Sequence, residues 1–416
     1  MLKAPPQEPR WVSWLLVVLW SLLILATVPF ARAIQRSVTE RWGRESFVIF
    51  NLGVLVVLTV ALLIYLWRLP RRLGRAQVLW LVAVLAVYVY TAVRLPSPEE
   101  ALHFLEYGVL GVLAFRALSH TIGDSAVYLA AVLVCALVGT IDEALQWMTP
   151  DRYGEIRDVG LNVLSAALAQ VAIWKSLRPV YIEAGWSAES VRWLCRLGAV
   201  VVILLALCAL NTPERVERYA ARIPALGFLA GNPSVMVEYG YRYEHPEIGS
   251  FYSRLTLEEL ARQDRERAGE AAAILDDYHD HLRYPAFLTD HPASRDPFLN
   301  EARVHLFRRD RYTDEARKSV AEGEINRELA TVAWREHLIL GNYFPQTLRS
   351  SSYILSRSTK TFLRRHALPE MAYQSAVGKH LLTRVSEPQL LALAVILLVG
   401  LVGVDLYLRR RHASPR

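Results

Sequence analysis

The chain has 416 residues, 53% of them hydrophobic, with eleven tryptophans and a positive mean hydropathy. This composition excludes a purely soluble globular protein and suits several membrane spans joined to a soluble domain. The formal charge is +7, but the basic excess surrounds the apolar runs while the segment 211–388 is roughly balanced, a pattern of membrane orientation and anionic headgroups that argues against nucleic acid as a partner.

The first apolar run, 11–30, is long enough to cross a bilayer at about 1.5 Å per residue. It ends in Ala31-Arg32-Ala33, which resembles a small-x-small cleavage site, but the run exceeds a usual signal h-region, so an uncleaved anchor is expected. Further runs lie at 47–67, 78–93, 101–118, 126–145, 159–174, 194–210 and 390–408, giving about eight spans. The weakest is 101–118, yet Ser97-Pro98-Glu99-Glu100 reads as a capping box with proline at the first helical position, so a helix begins there. Cys135, Cys195 and Cys208 lie in or beside apolar runs. They offer neither a disulfide framework nor a CxxC-type metal site, and packing is their expected role.

Lysine and arginine in the short loops set the orientation. Arg68, Arg71, Arg72 and Arg75, then Lys175, Arg178, Arg192 and Arg196, then Arg409, Arg410 and Arg411 fall on one side if there are eight spans, together with Lys3 and Arg10. Against them stand Arg32, Arg36, Arg41 and Arg44, partly offset by Glu40 and Glu45. The expectation is an inner (cell) membrane protein with both termini cytoplasmic and 211–388 outside. That segment reads as mostly helical. Thr256 with Glu259 forms a capping box ahead of a helical apolar period, a second helix is expected over 313–340, and alternating Tyr239, Tyr241 and Tyr243 suggest a short extended stretch.

Polar residues interrupt the apolar pattern in three places. In the fourth run His103, Glu106, Tyr107 and Leu110 recur at three- and four-residue steps and share a helix face. In the fifth, Glu143 and Gln146 do the same behind Thr140 and Asp142. In the sixth, Asp158, Asn162 and Ser165 form one stripe, and Ser165, Ala166 and Ala169 let a neighbouring helix approach closely. All three stripes emerge at one leaflet under this topology, with Arg152 or Arg157 available from the intervening turn. Asp158 alone also reads as a helix cap, and His103 with Glu106 as a hydrogen-bonded packing pair. No metal and no cofactor are expected, because no third ligand accompanies that pair at a recognisable spacing.

His103-Phe104 with Tyr107, followed by Glu143-x-x-Gln146, Arg152, Asp158 and Asn162, resembles the VanZ-like family over about 95–174. Ser165 and Ala169 stand where that family commonly has glycine, and Pro98 with its acidic neighbours replaces a basic residue often found before the histidine. The resemblance implies a helical membrane fold and action at the cell envelope, since the founding member is associated with low-level resistance to the glycopeptide teicoplanin. It carries no settled biochemical activity.

In the large segment, Asp276-Asp277-Tyr278-His279-Asp280-His281 with His291 invites a metal reading. Two histidines two residues apart in a helix point to different faces, however. Ser253 and Ser350 to Ser352 lack a nucleophile-elbow context. Arg308, Arg309 and Arg311 read as a surface charge run, with phosphate binding the other option.

The sequence therefore specifies an all-α integral membrane protein of about eight transmembrane helices, with a mostly helical extracytoplasmic domain inserted before the last span. Its parts are 1–94 (spans one to three), 95–174 (VanZ-like core), 175–210 (loop and span seven), 211–388 (outer domain) and 389–416 (span eight and a basic tail). The expected ligand is an envelope lipid headgroup or cell-wall intermediate, held by His103, Glu106, Tyr107, Glu143, Gln146, Arg152, Asp158 and Asn162. Two other readings stay open. One is an enzyme modifying such a lipid or peptide, with His103 or Glu143 as general acid or base; the other is a scaffold whose outer domain binds a protein partner.

Overall fold

The computed structural model describes residues 6–30, 73–95, 98–149, 154–231, 237–321 and 325–413, with Gly323 and scattered positions between 37 and 67. The chain is mostly helical and divides into two compact units, Met1–Asn211 with Pro388–Arg416, and Thr212–Pro233 with Val237–Glu387.

The first unit contains α1 (Arg10–Thr27), α2 (Arg75–Arg94), α3 (Pro98–Leu118), α4 (Ala126–Met148), α5 (Ile156–Val171) and α6 (Ala188–Ala209). Among the described residues seven helices are long and apolar enough to cross a membrane, these six and the C-terminal one. The expected span at 47–67 falls largely outside the described residues. α3 and α4 are the most enclosed and form the centre, with α5 packed on both, α1 on α3 and α6 on α4. Their shared core includes Tyr107, Leu110, Ala114, Ala130, Cys135 and Ala166. α5 loosens into a π-helical turn, Ala172–Leu177, that receives α2 through a 2.6 Å bond from Gln77 Nε2 to the Ser176 carbonyl.

Polar ties fix the helix directions. Asp124 accepts from Ala126 N at 3.0 Å and Ser187 N at 2.7 Å, which pins the start of α4 to the start of α6. Burial opposes the ionised carboxyl, but these donors together with the Ser187 and Ser190 hydroxyls outweigh it and hold Asp124 below its ordinary value. Glu8 binds Arg116 and accepts from Ser13 Oγ, so the start of α1 meets the end of α3. At the opposite end lie the start of α3, the end of α4 and the start of α5.

In the second unit α7 (Pro213–Arg222) is followed by a 3-10 turn (Pro224–Gly231) and a hairpin of β1 (Tyr241–His245) and β2 (Gly249–Ser253), paired antiparallel with Tyr243 opposite Phe251. The hairpin matches the extended stretch expected from its tyrosines. Gly249 sits at φ +94 directly over the Tyr373 carbonyl, a place without room for a Cβ. Then come α8 (Leu257–Asp277), α9 (Tyr284–Asp290), α10 (Pro297–Ala321), α11 (Arg327–Tyr343), α12 (Pro345–Ser350) and α13 (Arg357–His366). α8 opens with the expected capping box, Thr256 and Glu259 bonding reciprocally. α14 (Glu387–Ala413) returns the chain to the first unit, where Asp405 meets Arg192 at 2.9 Å and Gly198 faces Leu401, so α14 runs antiparallel to α6.

Two sequence expectations fail here. The helix expected over 313–340 is two helices, because Gly323 takes φ +106 and Asn326 caps α11 by accepting from Glu328 N and Leu329 N. Its apolar period continued across the break because α10 and α11 bury the same faces against each other. The charge run at Arg308, Arg309 and Arg311 is not a surface run either. Arg309 is 1% exposed and Arg308 binds Glu336 at 2.8 Å, leaving only Arg311 on the surface, paired with Glu315. His279 and His281 lie beyond the end of α8, where the His279 ring packs at a tilt against Tyr353 and Asp276 accepts from Ser352 N and Oγ. Ser253 Oγ donates to the buried Glu301 at 2.6 Å, a structural bond.

The second unit also carries an acid-sensitive histidine. Burial, with Arg309 and Lys360 nearby, pushes the His337 imidazole down to about 4. Unfolded, it titrates near the ordinary value of 6.5. The unfolded chain therefore binds a proton that the fold refuses, and stability present above pH 6.5 is lost on the way to pH 4, by about 3 kcal/mol. The thermal midpoint of this unit, followed by limited proteolysis of the full chain, is expected to fall over that window. His337→Phe should flatten the fall, and an unchanged slope would remove His337 as its source.

Candidate functional site

The polar stripes of α3, α4 and α5 meet where the start of α3, the end of α4 and the start of α5 come together. They can meet because small residues let the helices close. At Gly139 an added Cβ would lie 3.2 Å from Asn162 Nδ2 and 3.5 Å from the Tyr107 ring, and at Gly111 it would lie 3.2 Å from the Ala166 Cα. Ser165, buried between α3 and α5, bonds the Phe104 carbonyl and Tyr88. Gln170 Nε2 donates to the Gly111 carbonyl at 2.8 Å.

At the centre is Asp142, 0% exposed. Its Oδ2 accepts from Tyr107 Oη at 3.0 Å and lies 2.7 Å from His103 Nε2, although that contact is out of line for an N–H···O bond. Its other oxygen, Oδ1, is buried with no hydrogen-bond partner. The imidazole is oriented from its far side, where Nδ1 pairs with Glu106 Oε2 at 3.2 Å, and its ring meets Tyr107 edge-on. Glu143, also 0% exposed, accepts from Gln146 Nε2 at 3.0 Å and from Glu155 N at 3.0 Å. Asn162 is 1% exposed and its Nδ2 lacks a partner.

Of the residues expected from the sequence, His103, Glu106, Tyr107, Glu143, Gln146 and Asn162 thus gather in one cluster. Asp158 stands in the first turn of α5, where Glu155 is the N-cap residue; its Oδ1 is buried without a partner, so it does not cap the helix by a hydrogen bond. Arg152 lies outside the described residues. Arg157, the other candidate cation, is half exposed and pairs with Glu100 at 3.6 Å. The residue missing from the expected set is Asp142, which the sequence showed only as part of the polar end of α4. It supplies the third group beside His103: one ligand-type atom each of His103, Asp142 and Glu143 lie within 4.8 Å of one another. Both acids reach the imidazole from another helix, a juxtaposition that spacing within the sequence does not show.

Apolar helices of membrane-spanning length closed around buried carboxylates and an imidazole define a polytopic membrane protein with a polar cluster inside its helical bundle. Residues 11–178 match the VanZ/LLP1 family model. This segment is therefore VanZ-like, as the motif resembled, and the match reaches beyond 95–174 to include α1 and α2. Neither a curated protein nor a solved structure matches the chain.

Proposed function

We propose that the VanZ-like segment binds the polar headgroup of an envelope lipid, or a lipid-linked cell-wall intermediate, at the outer leaflet of the cell membrane. The observation that carries this reading is the set of buried polar atoms left without partners: Asp142 Oδ1, Asp158 Oδ1 and Asn162 Nδ2. An unmet acceptor or donor away from water costs about 1–3 kcal/mol, so three at one end of a bundle call for a ligand that offers both donors and acceptors. A headgroup carrying amine or hydroxyl donors next to a phosphate has that composition. Arg152, which falls between α4 and α5 in the sequence, would grip the phosphate or carboxylate.

An apolar groove supports a lipid in particular. It runs between α4 and α6 at the same end as the cluster, lined by Ile141, Leu145, Trp147, Leu204 and Leu207, and suits an acyl chain whose headgroup turns inward. The topology that carries the outer-leaflet assignment reads 47–67 as a span and places both termini in the cytoplasm; α6 ends and α14 begins at the cluster's end of the first unit. An effect on glycopeptide sensitivity would follow from sequestering or presenting such an intermediate.

The test is mass spectrometry of lipids co-purifying in mild detergent with wild type, Arg152→Ala and Asn162→Leu. One lipid class should be enriched in the wild type and fall at least about tenfold in both variants, the equivalent of about 1.4 kcal/mol. Matching lipid profiles in all three would end the headgroup reading.

A second reading is favoured by one feature, the imidazole held between two carboxylates, Glu106 and Asp142, as a general base would be. In that case the purified protein converts its bound lipid, and Glu143→Gln or His103→Gln stops conversion while lipid stays bound.

A further inference from the structure

We infer that His103 Nε2, Asp142 and Glu143 are the protein ligands of a divalent transition-metal ion, Zn²⁺ or Mn²⁺. The inference deepens the headgroup reading and rests on it only for what the ion would hold, a phosphate or hydroxyl of the lipid in an open coordination position.

Geometry comes first. Three ligand atoms within 4.8 Å of one another come within reach of one ion after a modest closing, since bonds of about 2.0–2.2 Å at tetrahedral angles place ligand atoms about 3.4 Å apart. His103 Nε2 and Asp142 Oδ2 are 2.7 Å apart yet out of line for a hydrogen bond. A close approach without a hydrogen bond leaves the His103 nitrogen available to turn toward an ion shared with Asp142. Asp142 Oδ1 and His103 Nε2 are both buried atoms without hydrogen-bond partners, so the site holds unused ligand capacity away from water.

The surroundings are those of a metal site. Glu106 pairs with His103 Nδ1, the carboxylate–histidine arrangement that fixes which ring nitrogen faces a metal. Tyr107 donates to Asp142, and Gln146 and Glu155 N donate to Glu143, so each carboxylate is already oriented by a fixed donor. Glu106 and Tyr107 are positioning residues here. Charge points the same way. Two fully buried carboxylates, Asp142 and Glu143, stand beside a half-buried imidazole that also pairs with Glu106, and a dication offsets negative charge held away from water. One imidazole with two carboxylates suits zinc or manganese better than a thiolate-preferring ion, and only three protein ligands leave a position for substrate.

The experiment uses the full chain in detergent, stripped with a chelator, reloaded with Zn²⁺ or Mn²⁺ and desalted, with bound metal read by elemental mass spectrometry. Wild type should retain about one ion per chain. Asp142→Asn, Glu143→Gln and His103→Gln should each weaken retention by about 100-fold, and Glu106→Gln by less, within the 10–100-fold range of an orienting partner. Reloading with Co²⁺ gives a second readout, a visible absorption that should vanish in His103→Gln even where that variant runs as a monodisperse, helical protein. If stripped wild type takes up neither ion, or if all three ligand variants retain metal as wild type does, the metal site is overturned. A wild type that binds metal but enriches no lipid would keep the ion and dismiss the headgroup. Lipid enrichment without metal would do the reverse.

Discussion

Glu336→Ala is expected to destabilise the second unit by about 3–5 kcal/mol, the usual cost of removing one partner from a buried charge network. Glu336 is fully buried on α11, and its carboxylate collects His305 Nδ1, Arg308 Nε at 2.8 Å, Tyr373 Oη at 2.7 Å and Ser375 Oγ at 3.0 Å. It thereby ties α10, α11 and the 373–375 segment, which also bonds the edge of β2 through Ser250 N to the Tyr373 carbonyl and Ser375 N to the Ser250 carbonyl. Truncation would leave a half-buried guanidinium and a buried imidazole without their acceptor. Burial opposes the ionised carboxylate, but the His305 and Arg308 charges and their hydrogen bonds outweigh it and hold Glu336 below its ordinary value of 4.5. The fold therefore keeps this carboxylate ionised where the unfolded chain protonates it. The stabilisation is fully present above pH 4.5 and is lost as the pH falls through the depressed native value. Limited proteolysis of the full chain across temperature should show the second unit opening much earlier in Glu336→Ala at pH 7, with a shallower loss below pH 4.5 than in wild type. Equal protection of the two proteins at pH 7 would show that the network contributes little.

The membrane helices were legible because a bilayer demands long apolar runs, and composition alone reports them. α3 carries Glu100, His103 and Glu106 in its first turns, yet it forms because Glu100 reaches Arg157 on α5, His103 reaches Asp142 on α4, and Glu106 turns back to His103. The site was legible as far as helical periodicity reaches. Steps of three and four residues found His103, Glu106 and Tyr107, then Glu143 with Gln146, then Asp158 with Asn162. Asp142 escaped because it breaks that rule, lying about 100° from Glu143 around the helix. Both point inward only because α4 is enclosed by α3, α5 and α6 together, a property of the assembled bundle. Neighbouring arginines posed a similar problem in the second unit. Arg308, Arg309 and Arg311 look alike in a sequence, and only the packing of α10 on α11 decides that Arg309 is buried and Arg311 is not. The break between α10 and α11 was signalled by Gly323 and Asn326, a left-handed glycine and a capping residue, but the apolar period ran through both and outweighed them.

The triple replacement His103→Leu, Tyr107→Phe, Asp142→Leu is expected to raise the thermal midpoint of the first unit in detergent, or leave it unchanged, while abolishing metal and lipid retention. A cluster kept for stability should behave in the opposite way. Buried ionic groups seldom stabilise relative to well-packed apolar residues of similar volume, whose substitution is often neutral or favourable by about 1–4 kcal/mol. Here the imbalance is larger than usual, since the Asp142–His103 contact is out of line and Asp142 Oδ1 has no partner at all. Removing Asp142 alone is a different experiment, because Asp142→Ala strands the Tyr107 hydroxyl, an unmet donor costing about 1–3 kcal/mol. The single variant should therefore melt below wild type and the triple variant at or above it. That ordering separates a site maintained for its ligand from one maintained for its fold. If the triple variant melts well below the single one, the cluster is holding α3 against α4, and the scaffold reading replaces both the headgroup and the metal.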